Sequence, residues 1–565
     1  MEIETKNSNE NTSYYLGIWN SKKWDEAKKL LSKKFTRENY EQLFCLDDKY
    51  GNVKSLEKII DKYGEEFIID FFIPILQSIA LSSENIKEKI PILLDNCPEI
   101  IKLTQFECAS ILSTFFLNMY GNENEGRDIN ELKNLNNHLD LDSFPYLSFC
   151  YYLYTNSKLI IQKMLFMIRY FIKIGIRMAI SNKLKLVEHT NFLSSKNTIL
   201  DKVKDFKESI KNIYDFDKEF DIDCNNERNS ILKIYLNEFN PILINKMLEN
   251  NPNYNNSLNQ NINNELEDYF KKFIIDGRND DPLEIISNGQ KNKNLLKITK
   301  EVFLNQKDEI SLKYLKEKIK IHLDSITEQK NNIITDFANK YLGGGCMKLG
   351  SVQEEILLLI CPEILVARAF VKVMNHIQSI SISGFEIISK SKGYGNSLEY
   401  DTYNIDDTPY ENNSFKSLMI AVDAIPFYSN TINQFNPIYI IRELIKFCTG
   451  LQGNNKDKLG FKFDFCSTGK WGCGAFGGDV CMKFLIQFIA CLFHDVGFNF
   501  SCFNDNSNKK MFEKFIKDLI VIVEENIKKE KVITKGLIFK ALIYMKFNKK
   551  NIMSNYIESL KNCLK

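Results

Sequence analysis

Glu354 and Glu355 follow Gln353 directly, and three successive glycines, Gly343, Gly344 and Gly345, stand shortly before them. Carboxylates of this kind, without metal ligands around them, suit glycosidic chemistry through an oxocarbenium-like transition state. Consecutive glycines allow positive φ and remove every Cβ, so backbone N–H groups can come close to a ligand. A helix starting near Val352 would carry both glutamates in its first turn, where the helix dipole favours carboxylates. Taken alone, the pair reads more readily as a charged helix N-terminus than as a reactive site. Adjacent helical residues point about 100° apart, so the two do not oppose each other across one bond. A division of labour fits better, with one handling protons and the other holding sugar hydroxyls.

A second constellation runs from Ser467 to Asp479, STGKWGCGAFGGD. It joins a strand end to a helix start, the position at which α/β sheets bind phosphate. Its glycines let consecutive N–H groups converge on an anion. No GK[ST] closes it, so it is not a Walker A loop, and it lacks the tight GxGxxG of a dinucleotide site. The other reading is a long turn around a structural Trp471. Tyr394, in a Gly-Tyr-Gly turn, and Phe503, after the next strand, could offer rings to a base, although a lone aromatic is more often core.

The elements that must position these residues show in the texture of the chain. From about residue 311 short apolar or alternating runs read as strands: 381–389, 418–427 and 460–467. Helix patterns lie between and after them, at 354–374 and 479–495. Strand 460–467, Gly-rich turn, helix 479–493 and strand 498–503 form a βαβ unit, which implies parallel strands. The fold class is therefore α/β (α+β), a mixed sheet between helices, with an N-terminal helical accessory region. Segment boundaries fall as a polar extension over 1–64, the helical region over 65–189 and an Asn-rich, partly disordered insertion over 190–310. A catalytic domain over 311–508 and C-terminal helices over 509–565 complete the chain. NNPNYNNSLNQNINNE is the extreme of the insertion, and such a tract buries too little apolar surface to order itself.

Composition narrows the function classes. With 565 residues, 44% of them hydrophobic, the chain has ample material for a core and for more than one domain. A formal net charge of +1 gives no global field for nucleic acid, so no direct DNA binding is expected. A polyanion would need a local patch, to which Lys390, Lys392, Lys462 and Lys470 could contribute. The 14 cysteines are scattered with no CxxC pair, which fits free thiols in a reducing compartment. Five histidines at no metal-ligand spacing point to no metal site and no cofactor. The first residues carry no apolar secretory stretch, and no apolar run is long enough to cross a membrane.

The segments DFANKYLGGG…VQEE, GYGNSLEY, AVDAIPF and GKWGCGAFGGD resemble the catalytic region of poly(ADP-ribose) glycohydrolases of the animal type. The similarity runs from about residue 65 to about 545, leaving out the Asn-rich stretch. The resemblance implies a macrodomain-like fold and hydrolysis of ribose–ribose O-glycosidic bonds. It implies Glu355 as general acid/base, Glu354 as the residue that positions ribose hydroxyls and Asp336 as the third acid. Gly344 and Gly345 of the triple glycine, Asn339 and Gln353 match substrate-contacting positions, and Tyr394 matches an adenine-side aromatic. Gly474, Ala475 and Phe476 match the diphosphate loop, and Phe503 a residue beside the terminal ribose. Lys470 replaces the family's usual Asn before the Trp. Ile326 and Thr327 fall at the adenine-side pair only across a gap, with Glu328 as the alternative acidic member. The implied partners are poly(ADP-ribose) and the proteins that carry it, handled by a monomer in nucleus or cytoplasm. A non-catalytic reader of ADP-ribose is the alternative, since one fold hosts both roles.

Overall fold

A computed structural model describes residues 21–44, 53–82, 100–117, 149–181, 229–245, 256–275, 298–329, 331–401, 408–411, 414–427, 434–546 and 551–565. The remaining tracts, including most of the Asn-rich insertion, lie outside the described residues. The chain forms two compact units. The first comprises residues 1–234, 341–373 and 382–416, and the second 235–340, 374–381 and 417–565.

In the first unit, apolar residues at helical spacing build helices α1 (Ser21–Leu31), α2 (Lys54–Tyr63), α3 (Ile73–Ser82), α4 (Gln105–Phe116) and α5 (Lys158–Ile180). A π-helical stretch over Glu66–Phe72 leads into α3. Thr104 caps α4 by accepting the Glu107 N–H, and the Glu107 carboxylate accepts the Thr104 N–H in return. Such a capping box fixes a helix start. Strand β1 (Ile101–Thr104) pairs antiparallel with β2 (Ile231–Glu238, whose residues from Tyr235 onward belong to the second unit) through Ile101–Ile234 to Thr104–Ile231.

The same unit contains α6 (Gln353–Ile360), continued by a 3-10 stretch over Pro362–Ala369. A buried ionic cluster ties these segments to α5. Glu386 accepts from Arg177 at 2.5 Å and pairs with Lys173 at 3.2 Å, while Gln105 of α4 donates to both Glu386 and Glu363. Burial, reinforced by Glu386, pushes the Glu363 carboxyl up to about 8. Burial acts the same way on Glu386, but Arg177 and Lys173 overcome it and hold that carboxyl well below the usual range.

The second unit holds a parallel ladder. Its strands are β3 (Ile319–His322), β4 (Ile333–Asp336), β5 (Gln378–Ser383, whose last two residues belong to the first unit), β6 (Leu418–Ala421), β7 (Phe465–Thr468) and β8 (Gly497–Ser501). They lie in the order β5-β6-β4-β7-β8-β3. The β6–β4, β4–β7, β7–β8 and β8–β3 pairs are all parallel. β4, β6 and β8 are buried along their whole length, as strands covered on both faces must be. Helices α7 (Pro437–Leu451) and α8 (Val480–Phe493) pack together. They are followed by α9 (Asn506–Ile527), α10 (Lys535–Ile543) and α11 (Ile552–Leu564).

β7, the Gly-rich loop, α8 and β8 form the βαβ unit expected from the sequence. Within the Asn-rich stretch the structure adds β2 and a helix over Asn256–Ile275. Asn263, Leu266, Glu267 and Phe270 of that helix are buried, a three-to-four-residue stripe that orders a segment whose overall composition is polar. Among the described residues no helix is long and apolar enough to cross a membrane.

Candidate active site

The acidic pair belongs to the first unit and is built from backbone. After Tyr341 the chain turns tightly, with Gly343 and Gly344 at φ +85° and +43°. The turn aims amides inward. Gly343 N–H donates to Glu354 Oε1, and Gly345 N–H donates to Glu355 Oε1 at 3.0 Å. Val352 N–H donates to Glu355 Oε2 at 2.9 Å from the start of α6. Each oxygen of Glu355 is thus held by a different amide, which fixes the carboxylate plane while lone pairs remain for a ligand or water. Both glutamates are buried, at 3% and 6% exposure, inside a loop whose outer residues Leu349 and Val352 are open to solvent.

Close approach explains the glycines. A Cβ on Gly350 would lie 2.7 Å from Glu355 Oε1, and one on Gly343 would lie 2.5 Å from an Arg368 nitrogen. The guanidinium of Arg368 in turn donates to the Leu342 carbonyl. Tyr394 stands beside α6, its hydroxyl hydrogen-bonded to the Gln353 backbone; burial raises its pKa, with the Glu355 charge adding to it and that hydrogen bond opposing it. The ring is 45% exposed. Gly395 N–H donates to the Ser351 carbonyl at 2.9 Å, linking the Gly-Tyr-Gly turn to the start of α6. The first unit therefore brings Gly343, Gly345, Gln353, Glu354, Glu355 and Tyr394 together.

The remaining expected residues lie in the second unit, at the carboxyl ends of its parallel strands, where open α/β sheets bind ligands. Asp336 is fully buried at the end of β4, and its carbonyl accepts the Val422 N–H at 3.2 Å. Asn339 follows in the outgoing loop, half-buried. Ile326 and Thr327 form a short 3-10 turn capped by Ser325, with Ile326 buried.

The Gly-rich loop after β7 is anchored from below. Trp471 is fully buried, and its indole N–H donates to the Val422 carbonyl at 2.9 Å. Lys483 of α8 lies 4.0 Å from the Trp471 ring centre and pairs with Glu443 of α7 at 2.8 Å. Gln487 donates to the Gly469 carbonyl at 3.1 Å. Over this anchor the crest of the loop, Gly474 and Ala475, is exposed, and a Cβ on Gly474 would meet nothing within 4 Å. The Phe476 carbonyl accepts the Phe427 N–H at 2.7 Å.

Lys470, the residue that replaces the usual Asn, pairs with Asp505 at 3.2 Å. Asp505 also caps α9 by accepting the Asn508 N–H at 3.0 Å. Between them Phe503 holds a left-handed backbone, φ +45°, with its ring 49% exposed. A non-glycine residue in that region is held there by its surroundings, here by Ser501 Oγ accepting the Phe503 N–H at 3.2 Å.

Sequence reasoning did not single out the supports: Lys163, Tyr152 and Arg368 in the first unit, and Glu443 and Lys483 in the second. For the charged ones the signal is a charge inside an apolar helical run, as with Lys163 in IIQKMLFMIRYF. Such a residue needs a buried partner.

Two family models match the chain. Residues 60–190 match the helical domain of poly(ADP-ribose) glycohydrolase, and residues 304–510 match its macro domain fold. Poly(ADP-ribose) glycohydrolase 1 of Caenorhabditis elegans is 34% identical over 220 residues, covering 37% of this chain and 26% of that protein. Poly(ADP-ribose) glycohydrolase 2 of the same organism is 35% identical over 192 residues, 32% of this chain and 39% of that protein. A probable poly(ADP-ribose) glycohydrolase 2 of Arabidopsis thaliana is 29% identical over 211 residues, 30% of this chain and 40% of its own length. The matched stretches thus span well under two thirds of these relatives. With both domain models of one family matched in order, the chain belongs to the poly(ADP-ribose) glycohydrolase family.

Proposed function

We propose that this protein hydrolyses the ribose–ribose O-glycosidic bonds of poly(ADP-ribose) and releases ADP-ribose, with Glu355 as general acid and base. The observation that carries the reading is the clamp on Glu355, one amide to each carboxylate oxygen. A group that protonates a leaving oxygen and then takes a proton from water must keep its place through both steps. Two backbone donors on a helix start supply that fixity, and the second lone pair of each oxygen stays available.

In the proposed reaction the protonated Glu355 gives its proton to the departing ribose oxygen as the C1–O bond breaks and positive charge develops on the other ribose. The resulting carboxylate then takes a proton from the water that adds to C1, which restores the acid. Glu354, held by the Gly343 amide, positions the ribose hydroxyls. Asp336 is the third acidic member, and the Gly474–Phe476 crest offers amides to the diphosphate. Ile326, Thr327, Asn339, Tyr394, Lys470 and Phe503 complete the set of substrate contacts, with ADP-ribosylated proteins as the partners in nucleus or cytoplasm.

The test is digestion of labelled polymer. Wild type should yield ADP-ribose, while Glu355→Gln should release none above background and still bind ADP-ribose. A protein that binds the polymer but never shortens it would instead be a reader, and Glu355→Gln would then change nothing.

A further inference from the structure

The ammonium of Lys163 is buried in the first unit, on a helix far in sequence from the glutamates. It donates to three carbonyls of the loop between the triple glycine and α6: Cys346 at 3.1 Å, Lys348 at 2.7 Å and Gly350. The hydroxyl of Tyr152 donates to the same Cys346 carbonyl, and Lys163 Nζ lies 5.5 Å from the Tyr152 ring centre. These carbonyls sit on the loop whose amides, at Gly343, Gly345 and Val352, hold Glu354 and Glu355. The loop is therefore gripped on both sides, its carbonyls by the helical region and its amides by the glutamates.

We propose that Lys163 is a positioning residue for the hydrolysis, a cationic latch through which the helical region sets the geometry of Glu355. Three N–H donors meeting three carbonyls use the full capacity of an ammonium. A neutral amine has two donors and turns a lone pair toward one of those carbonyls, so loss of the proton loosens the loop. A displacement of about 1 Å at a reacting group can lower turnover about 100-fold.

The charge state is itself poised. Burial lowers the Lys163 pKa to about 8, and the nearby Cys346 and Glu355 act in the opposite direction. The groups facing it are Glu355 on α6, the Cys346 thiol, pushed up to about 11 by burial, and the Tyr152 phenol, raised well above its usual value by burial. Neither thiol nor phenol titrates near pH 8, so an alkaline limb there belongs to the lysine. Stability moves the other way. Between about 8 and the ordinary 10.5 the unfolded chain holds this proton and the folded one does not, so folding strengthens as pH rises through that window.

The inference rests on Glu355 being the acid/base, and the experiment separates the two. Polymer turnover, ADP-ribose affinity, melting temperature and hydrogen exchange over 343–350 are measured from pH 6.5 to 9.5. Wild type, Lys163→Met, Lys163→Arg and Tyr152→Phe are compared. The latch predicts that wild-type kcat falls about tenfold with a midpoint near pH 8 while the melting-temperature difference from Lys163→Met shifts in favour of wild type. Lys163→Met should lose about 10- to 100-fold in kcat, exchange faster over 343–350, and keep ADP-ribose affinity within about twofold. Lys163→Arg should restore most of kcat and remove the limb at pH 8. Unchanged kcat and exchange in Lys163→Met overturn the proposal. So does a loss of affinity, stability and activity together that Arg does not rescue. An inactive wild type defeats the hydrolase reading, and the exchange data then still decide whether Lys163 holds the loop.

Discussion

The two glycine-rich loops solve opposite problems. The loop at 343–350 turns its amides inward onto the protein's own carboxylates, and a Cβ at Gly343 or Gly350 would strike a functional group. The loop at 469–478 turns its anchor inward and its crest outward, with Trp471 buried and Gly474 facing open space. In the first, backbone serves the Glu354 and Glu355 carboxylates; in the second, side chains serve a backbone surface. Glycine serves differently in the two: close packing around a carboxylate in one, and an uncovered backbone crest in the other.

That contrast predicts a graded set of variants. Glu355→Gln should cost about 10³-fold in ADP-ribose release with folding intact, since a general acid is worth roughly 10²–10⁴. Trp471→Ala removes the anchor of the outward loop and should destabilise the second unit by about 3–5 kcal/mol, measured by chemical denaturation. Gly350→Ala drives a methyl into Glu355 and should lower kcat about 100-fold while ADP-ribose affinity holds, read from steady-state kinetics. Gly474→Ala sits at the other end of the comparison. Its Cβ meets nothing, so stability should stay within about 0.5 kcal/mol and the effect should appear as weaker ADP-ribose binding by titration calorimetry. If Gly474→Ala lost kcat and Gly350→Ala lost affinity, the contrast between the loops would be reversed.

Much of this was legible in the sequence because local chemistry and local pattern agree. The alternation and aromatics of 418–427 and 460–467 gave strands; β6 lies within the first range and β7 begins inside the second and ends one residue past it. The helix patterns at 354–374 and 479–495 gave α6 with its 3-10 continuation and α8. The helical spacing over 509–527 and 534–546 gives α9 and α10, while α11 was not singled out although IMSNYIESLKNCL also repeats apolar residues every three to four positions. β2 was hidden by the polar average of its neighbourhood, although ILKIYL is largely apolar and β-prone.

The compact units are discontinuous along the chain. The acidic loop at 343–355 falls with the helical region rather than with the strand that precedes it. The reason is ionic and buried: Lys163, Arg177, Lys173 and Gln105 of the helical region reach the loop and the segments that follow α6. No local pattern announces contacts between residues so far apart in sequence. Roles within the acidic pair were equally out of reach of spacing, which left a charged helix start as an open reading.

The most direct test of the account compares labelled poly(ADP-ribose) digested by wild type and by Glu355→Gln, with ADP-ribose binding measured on the same two preparations. The account predicts monomeric ADP-ribose from wild type, none above background from the variant, and comparable binding by both. Equal release by the two proteins would contradict it.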